Sequence, residues 1–370
     1  MLDFKLDQLI KMSNIFGSDR ELVLAGGGNT SFKSDGVLYV KASGSSLASA
    51  DRNSFVKMDR VQLIKNLGKD YPKEDRAREE ASLSDLMAAR LPGENKRPSV
   101  ETALHALFPQ AFVLHLHPAL VNGLTCGKRG KEAADRLFGH NYLWVEAGKP
   151  GHLLAKLCQG HMQDYKRKNF KDAGFLLLQN HGVFFAADSV SQLETLLNLC
   201  MEKLEKEIME TPTTGPEKKP PAETEKLIET VRASLDPSDH LVFSSNNLTA
   251  RFTYDFSSAK VLMQPFTPDH IVYCGAKPLF LSRAAEFEKD QEAFFGKEGY
   301  RAKIIILEKH GFIALGKTEK EALTARDVFL DAMKIAVYSQ SFGGPSHMTA
   351  ELTDFIINWE VEKYRQKQNY

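Results

Sequence analysis

The chain lacks the features that would tie it to an oxidising compartment, a bilayer or a polyanion. Its 370 residues include four cysteines, Cys126, Cys158, Cys200 and Cys274, widely separated and with no Cys-x-x-Cys pair. Such spacing offers no disulfide framework, so the thiols read as reduced and the setting as cytoplasmic. No long apolar run occurs. The N-terminal MLDFKLDQLIKMSN alternates charged with apolar residues, as an amphipathic helix does and a signal peptide or membrane span does not. Neither sign of charge is in excess: 48 basic side chains match 48 acidic ones, which removes the general electrostatic basis for binding nucleic acid or an anionic membrane. A dinucleotide fingerprint is also missing. Gly26 and Gly28 have GxG spacing, but Asn29-Thr30-Ser31 leads into a Phe32 strand where that motif needs a small residue opening a helix.

What is present fits a mixed α/β chain of two units, since the length exceeds one ordinary domain. The patterning predicts helices near 3–16, 60–67, 76–91 and 99–108. Strands are expected at ELVLAG, TSFK and VLYVKAS, the last two joined by an Asp35-Gly36 hairpin, and at AFVLHLH. Residues 211–222, TPTTGPEKKPPA, have the composition of an exposed linker. The expected division is a first domain at 1–210, a linker at 211–224 and a second domain at 225–370.

One internal comparison is informative. GFLLLQNHGVFFAADSVSQLETLLNLC at 174–200 aligns without gaps with KIIILEKHGFIALGKTEKEALTARDVF at 303–329. Each copy holds an apolar strand, a His-Gly, a second apolar strand and a capping-box pattern, Ser189 with Gln192 and Thr318 with Glu321. The second unit therefore reads as a smaller, degenerate copy of part of the first.

His115 and His117 lie two apart in a strand-like segment, so both imidazoles project from one face. That is metal-ligand spacing, although paired histidines also occur as plain polar residues at a strand end. His181, after the strand LLLQN and before Gly182, supplies a third imidazole at another strand end. Three neutral imidazoles suit Zn²⁺ and leave positions open for substrate oxygens. Glu101 in PSVETALHALFP sits just inside a helix starting at Pro98-Ser99, either within reach of such a metal or merely favouring the helix dipole. His105, one turn on, reads as helix surface or core. The glycine-rich turn offers backbone N–H groups to an anion, placing a phosphate at Gly28, Asn29, Ser43 and Gly44; a plain tight turn is the alternative. Asp269, His270 and His310 read as residues of a structural copy rather than as an independent polar site.

The ordered set GGGNTS, KASG, PSVE, HLHP and NHG resembles the class II aldolase/adducin family over most of residues 20–205. TPDHIVYC, KPLF, FLDAMKIAVYSQSFGG and INWEVEKY extend the resemblance, bringing it closest to the aldolase part of fused rhamnulose-phosphate aldolase/alcohol dehydrogenase proteins. The dehydrogenase half of those proteins has no counterpart here, so oxidoreductase activity is not expected. The resemblance implies a three-layer α/β fold with a central, mainly antiparallel sheet. It also implies zinc on His115, His117 and His181, and Glu101 as catalytic acid/base. Phosphate contacts carry over to Gly28, Asn29, Ser43, Gly44 and Ser99, with Lys41 an added basic candidate.

The implied reaction is cleavage of a ketose 1-phosphate, such as rhamnulose 1-phosphate, to dihydroxyacetone phosphate and a hydroxyaldehyde. The implied partners are a small sugar phosphate and further copies of the chain, since family aldolases are commonly tetramers. A tyrosine from a neighbouring subunit often completes the family's site; no motif assigns it here. Related proteins with the same histidines are epimerases, dehydratases or decarboxylases, and the adducin head is a non-catalytic scaffold. Glu101 favours the aldolase, because the epimerases generally lack an acid at that position.

Overall fold

The computed structural model describes residues 2–283 and 286–359; residues 360–370, with the end of INWEVEKY and of the expected second domain, lie outside them. The described chain forms two compact units, one of residues 2–121, 131–207 and 359, the other of 122–130, 208–283 and 286–358.

The first unit is built on seven strands: β1 (Asn29–Ser34), β2 (Val37–Lys41), β3 (Phe55–Asp59), β4 (Phe112–Leu116), β5 (Tyr142–Val145), β6 (Phe175–Leu178) and β7 (Gly182–Ala187), in the order β3-β2-β1-β4-β7-β6-β5. Every neighbouring pair is antiparallel except β5 with β6. The β1–β2 hairpin turns through Asp35 and Gly36, both with positive φ (50° and 81°), the combination of a type I′ turn. One sheet face is covered by the helices Thr102–Leu107 and His152–Asn169, whose Leu104, Leu154 and Cys158 pack with Val113, Leu176 and Phe184. On the other, the helix Leu2–Ser18 docks through Ser13, whose hydroxyl lies 2.7 Å from that of Thr30, and the helix Val190–Glu205 packs beside it. The result is a helix–sheet–helix sandwich.

Two sequence expectations need correction. ELVLAG is not a strand: Leu22 and Val23 donate their amides back to Asp19, and Ala25 has a φ of 53°, so the segment closes into successive turns after the first helix. The helix expected over 99–108 is confined to Thr102–Leu107. Pro98 is drawn into a bridge with Ala42 and the Ser99 amide donates to Lys41, which holds the chain extended up to the turn.

The second unit has four strands, β8 (His240–Ser244), β9 (Leu279–Leu281), β10 (Ile304–Leu307) and β11 (Gly311–Gly316), in the order β8-β11-β10-β9. Their senses, antiparallel, antiparallel, parallel, repeat those of β4-β7-β6-β5. The local detail repeats too. Asn180 and Lys309 both have positive φ ahead of the His-Gly, and Ser189 and Thr318 each accept the amide three residues on to cap the following helix. Through the ladders, His115 opposite Phe184 corresponds to Phe243 opposite Ile313, and the position of His117 corresponds to Ser245.

The segment before the helix Ala222–Ala233 has linker composition, yet it is tied to the β8 end. Glu217 accepts from the Ser244 hydroxyl (2.8 Å), the Ser245 amide (2.8 Å) and the Asn246 side chain (3.0 Å), and the Lys218 amide donates to Ser245. All four cysteines are buried free thiols, and no helix among the described residues is long and apolar enough to cross a membrane.

Candidate metal centre

The ladder between β4 and β7 assembles the centre. His115 lies on β4 and is wholly buried, His117 follows just past the strand end, and His181 sits in the turn that leads into β7. Asn180 makes that turn possible by taking a left-handed φ of 54°, a conformation asparagine tolerates better than most residues. Gly182 lets the strands close: a Cβ there would stand 2.5 Å from the Leu116 carbonyl oxygen and 2.6 Å from His117 Cδ2. Glu101 is the N-cap residue of the helix Thr102–Leu107, and its side chain caps nothing. It points to the histidines instead.

Glu101 Oε1 lies 3.0 Å from His115 Nε2 and 3.1 Å from His181 Nε2, while His117 Nε2 lies 2.8 Å from His115 Nε2. Potential ligand atoms of all four residues fall within 4.8 Å of one another. His115 Nδ1 donates to the Val183 carbonyl at 2.9 Å, which fixes the tautomer and turns Nε2 inward. In a neutral ring of that tautomer Nε2 is a lone pair, facing a carboxylate oxygen and a second imidazole nitrogen. Acceptors gathered in this way call for a shared cation, and three imidazoles with one carboxylate form a donor set for a divalent transition metal. Burial alone would raise the Glu101 carboxyl, but His115 and His181 beside it hold it well below the ordinary carboxylate range.

The residues expected to meet a phosphate gather next to this cluster. Asn29 pairs with His115 across β1 and β4, and Gly28, at a φ of 72°, packs close to the His115 carbonyl. Asn29 is 1% exposed and neither atom of its amide has a hydrogen-bond partner. Ser43 and Gly44 form a turn tied to the PSVE segment: the Ser43 amide donates to Arg97 and the Ser99 amide to Lys41. The Ser99 hydroxyl accepts from the Glu101 amide at 3.3 Å. Lys41 is buried, and its ammonium donates to the Ser45 carbonyl at 2.8 Å, within its own turn.

Two neighbours of the centre were not legible as site residues. Phe184 stacks on the His115 ring at 3.9 Å with 13° between planes, and reads in sequence as one apolar residue among several. His105 is fully buried beside the centre and outside the ligand cluster; burial pushes it well below its ordinary pKa. In the second unit His270 bonds within its own helix cap, to Thr267, whereas His310 bonds Thr224 at 2.8 Å; the two take separate partners.

Residues 7–204, more than half of the chain, match the family described as class II aldolase and adducin N-terminal domain. A relative from Bacillus subtilis (strain 168), named as the uncharacterized oxidoreductase YuxG, is 32% identical over 190 residues, which is 48% of this chain. The chain spans only 26% of that relative's length. Among solved structures, the N-terminal class II aldolase domain of a Thermoplasma acidophilum protein is 28% identical, covering 54% of this chain and 92% of its own at a TM-score of 0.46. The L-fuculose-1-phosphate aldolase of Thermus thermophilus is 13% identical, covering 56% and 94%, at a TM-score of 0.37. By the extent of the family match, and with the five motifs gathered around one His/Glu cluster, the chain belongs to the class II aldolase and adducin family.

Proposed function

We propose that the chain is a zinc-dependent aldolase that cleaves a ketose 1-phosphate, rhamnulose 1-phosphate or a close analogue, into dihydroxyacetone phosphate and a short hydroxyaldehyde. The observation that carries this reading is the Glu101 carboxylate set 3.0 and 3.1 Å from two imidazole nitrogens of the ligand cluster, which joins an acid/base group to a metal-binding donor set. His115, His117 and His181 hold the ion. Bound there, a divalent ion supplies Lewis-acid polarisation of the ketone and neighbouring hydroxyl oxygens.

Glu101 does the proton work. It is ionised, the form that accepts a proton, and burial raises its basicity against the neighbouring imidazoles that lower it. Oε1 is turned to His115 and His181, which leaves Oε2 to take the proton and return it to the carbon that carries the electron pair after carbon–carbon cleavage. The proton lost by the hydroxyl that becomes the aldehyde carbonyl balances the one gained by that carbon, so the reaction consumes none. Gly28, Asn29, Ser43, Gly44 and Ser99 orient the substrate through its phosphate. The unpartnered Asn29 amide supports this assignment, since a buried amide left unsatisfied is costly until a ligand engages it. Lys41 contributes charge from beneath the turn. The active form is a homo-oligomer in which a neighbouring copy completes the site.

The test is release of dihydroxyacetone phosphate from a panel of ketose 1-phosphates by wild-type protein and by Glu101→Gln, with bound metal quantified in both. Release by the wild type alone, with metal in both, supports the reading. Metal without release from any member sinks the aldolase assignment in favour of an epimerase, dehydratase or decarboxylase. Absence of bound metal favours the adducin-like scaffold.

A further inference from the structure

We propose that His105 is a positioning residue that fixes Glu101 and His115 relative to each other; this rests on the metal-centre reading above. The helix Thr102–Leu107, which carries Glu101 as its N-cap, is six residues long. A helix that short does not sustain itself in water, so the place of its N-cap residue is set by whatever anchors the helix. Three anchors are visible. The Thr102 hydroxyl donates to the Ser99 carbonyl at 2.6 Å, which secures the first turn. Arg60 donates to the carbonyls of Ala106 (3.0 Å) and Phe108 (3.1 Å), which secures the end. Between them His105 Nδ1 and the Ser31 hydroxyl share a hydrogen bond of 2.8 Å, the tie from the middle of the helix to β1.

His105 also reaches the other side of the centre. Its ring meets Phe184 edge-on, centroids 5.3 Å apart and planes 70° apart, and Phe184 in turn stacks on His115. One imidazole thus braces the backbone turn that carries Glu101 and, through one aromatic ring, the ligand His115. Packing alone does not call for histidine. The side chain is 0% exposed and its Nε2 has no hydrogen-bond partner, a burden that a leucine or phenylalanine would not carry. What only the histidine supplies is the bond to Ser31 together with the flat edge against Phe184.

The test measures Co²⁺ binding to the full-length apoprotein, by chelator competition and by the visible d–d absorbance of the ion. The variants are Ser31→Ala, His105→Phe and His105→Gln. Ser31→Ala and His105→Phe should each weaken Co²⁺ affinity about tenfold and alter the d–d spectrum, as loss of an orienting partner behind a ligand does elsewhere. The double variant should bind no worse than either single one. His105→Gln, whose amide can still bond Ser31, should recover part of the loss. Measurements are made well below each variant's melting temperature, so a purely structural role would lower Tm and leave affinity and spectrum unchanged. That result would overturn the proposal. If His105→Phe does not fold, Ser31→Ala decides alone. A wild-type protein that binds no Co²⁺ removes the metal reading, and this inference with it.

Discussion

Replacing Gly182 with alanine tests whether the close approach of β7 to β4 is what holds His117 in place. The added Cβ would stand 2.5 Å from the Leu116 carbonyl oxygen and 2.6 Å from His117 Cδ2, both inside ordinary contact. Leu116 is paired with Val183 in the ladder, so its carbonyl cannot retreat without parting the strands. The His117 ring is the softer neighbour and should swing away. Overpacking of this kind costs about 1–3 kcal/mol. At roughly 2–4 °C per kcal/mol for a unit of this size, Tm should fall by about 2–12 °C. Displacing one of three imidazoles should lower metal affinity at least about tenfold, by analogy with disturbed ligand support. Gly311 provides the control within the same chain. A Cβ there would stand 2.4 Å from the Ser244 carbonyl oxygen, at a φ of 133° that side chains rarely adopt, but the neighbouring ring is Phe243 rather than a ligand. Gly311→Ala should therefore destabilise at least as much while leaving metal affinity at the wild-type value. Thermal unfolding and Co²⁺ titration on both variants decide the matter. Unchanged affinity in Gly182→Ala, or a loss in Gly311→Ala, would refute the reasoning.

Other consequences are equally direct. Glu101→Gln should retain metal on the three histidines yet lose about 10²–10⁴-fold in turnover, read as kcat with metal content measured in parallel. Stripping the metal with a chelator should lower Tm, and restoring Zn²⁺ at about 100 times its Kd should return roughly 2.7 kcal/mol; equal melting curves before and after would argue against a bound ion. Glu217→Ala removes three of the bonds that tie the linker to the end of β8, so tryptic cleavage after Lys218 should be several-fold faster than in the wild type. His347, set against Phe266 and donating to the Val261 carbonyl at 2.7 Å, has its pKa lowered by burial. The unfolded chain then takes up a proton below about pH 6.5 that the folded one refuses, so stability should fall as pH drops from 7 toward 5. His347→Gln, which can still donate to Val261, should flatten that slope in a series of melting curves.

How far the sequence reaches can be seen residue by residue. The helix Arg60–Leu67, β4 and the Asp35-Gly36 turn follow from periodicity and turn chemistry alone, because each is decided by neighbours a few positions away. ELVLAG misleads for the converse reason: Leu22 is buried and Val23 and Leu24 are half-buried within turns, and strand-like composition does not specify a ladder partner. Glu101 and the histidines were identifiable as candidates, but their convergence depends on the pairing of residues 112–116 with 183–187, which no local pattern encodes. The bond from Ser31 to His105 spans 74 positions, and Phe184 is one of two adjacent phenylalanines, only one of which faces the histidines. Such relationships are properties of the folded sheet.

The repeat inside the chain separates residues the fold needs from residues only the chemistry needs. Both copies keep a left-handed residue before the His-Gly, Asn180 and Lys309, and both keep the glycine that admits the facing carbonyl. Both keep the hydroxyl cap of the next helix, Ser189 and Thr318. These are requirements of the strand–turn–strand–helix shape, and they are met whether or not a site is present. His310 is kept as well, but there its Nδ1 bonds Thr224 on the helix that precedes β8, a tie between helix and strand end. A histidine at this point can thus serve the fold by itself. The positions of His115 and His117 hold Phe243 and Ser245 in the second copy, where the same ladder forms without them. Stability of the shape therefore does not explain the pair in the first copy. The burial of His115, its fixed tautomer and the carboxylate set against it fit a metal-binding demand instead.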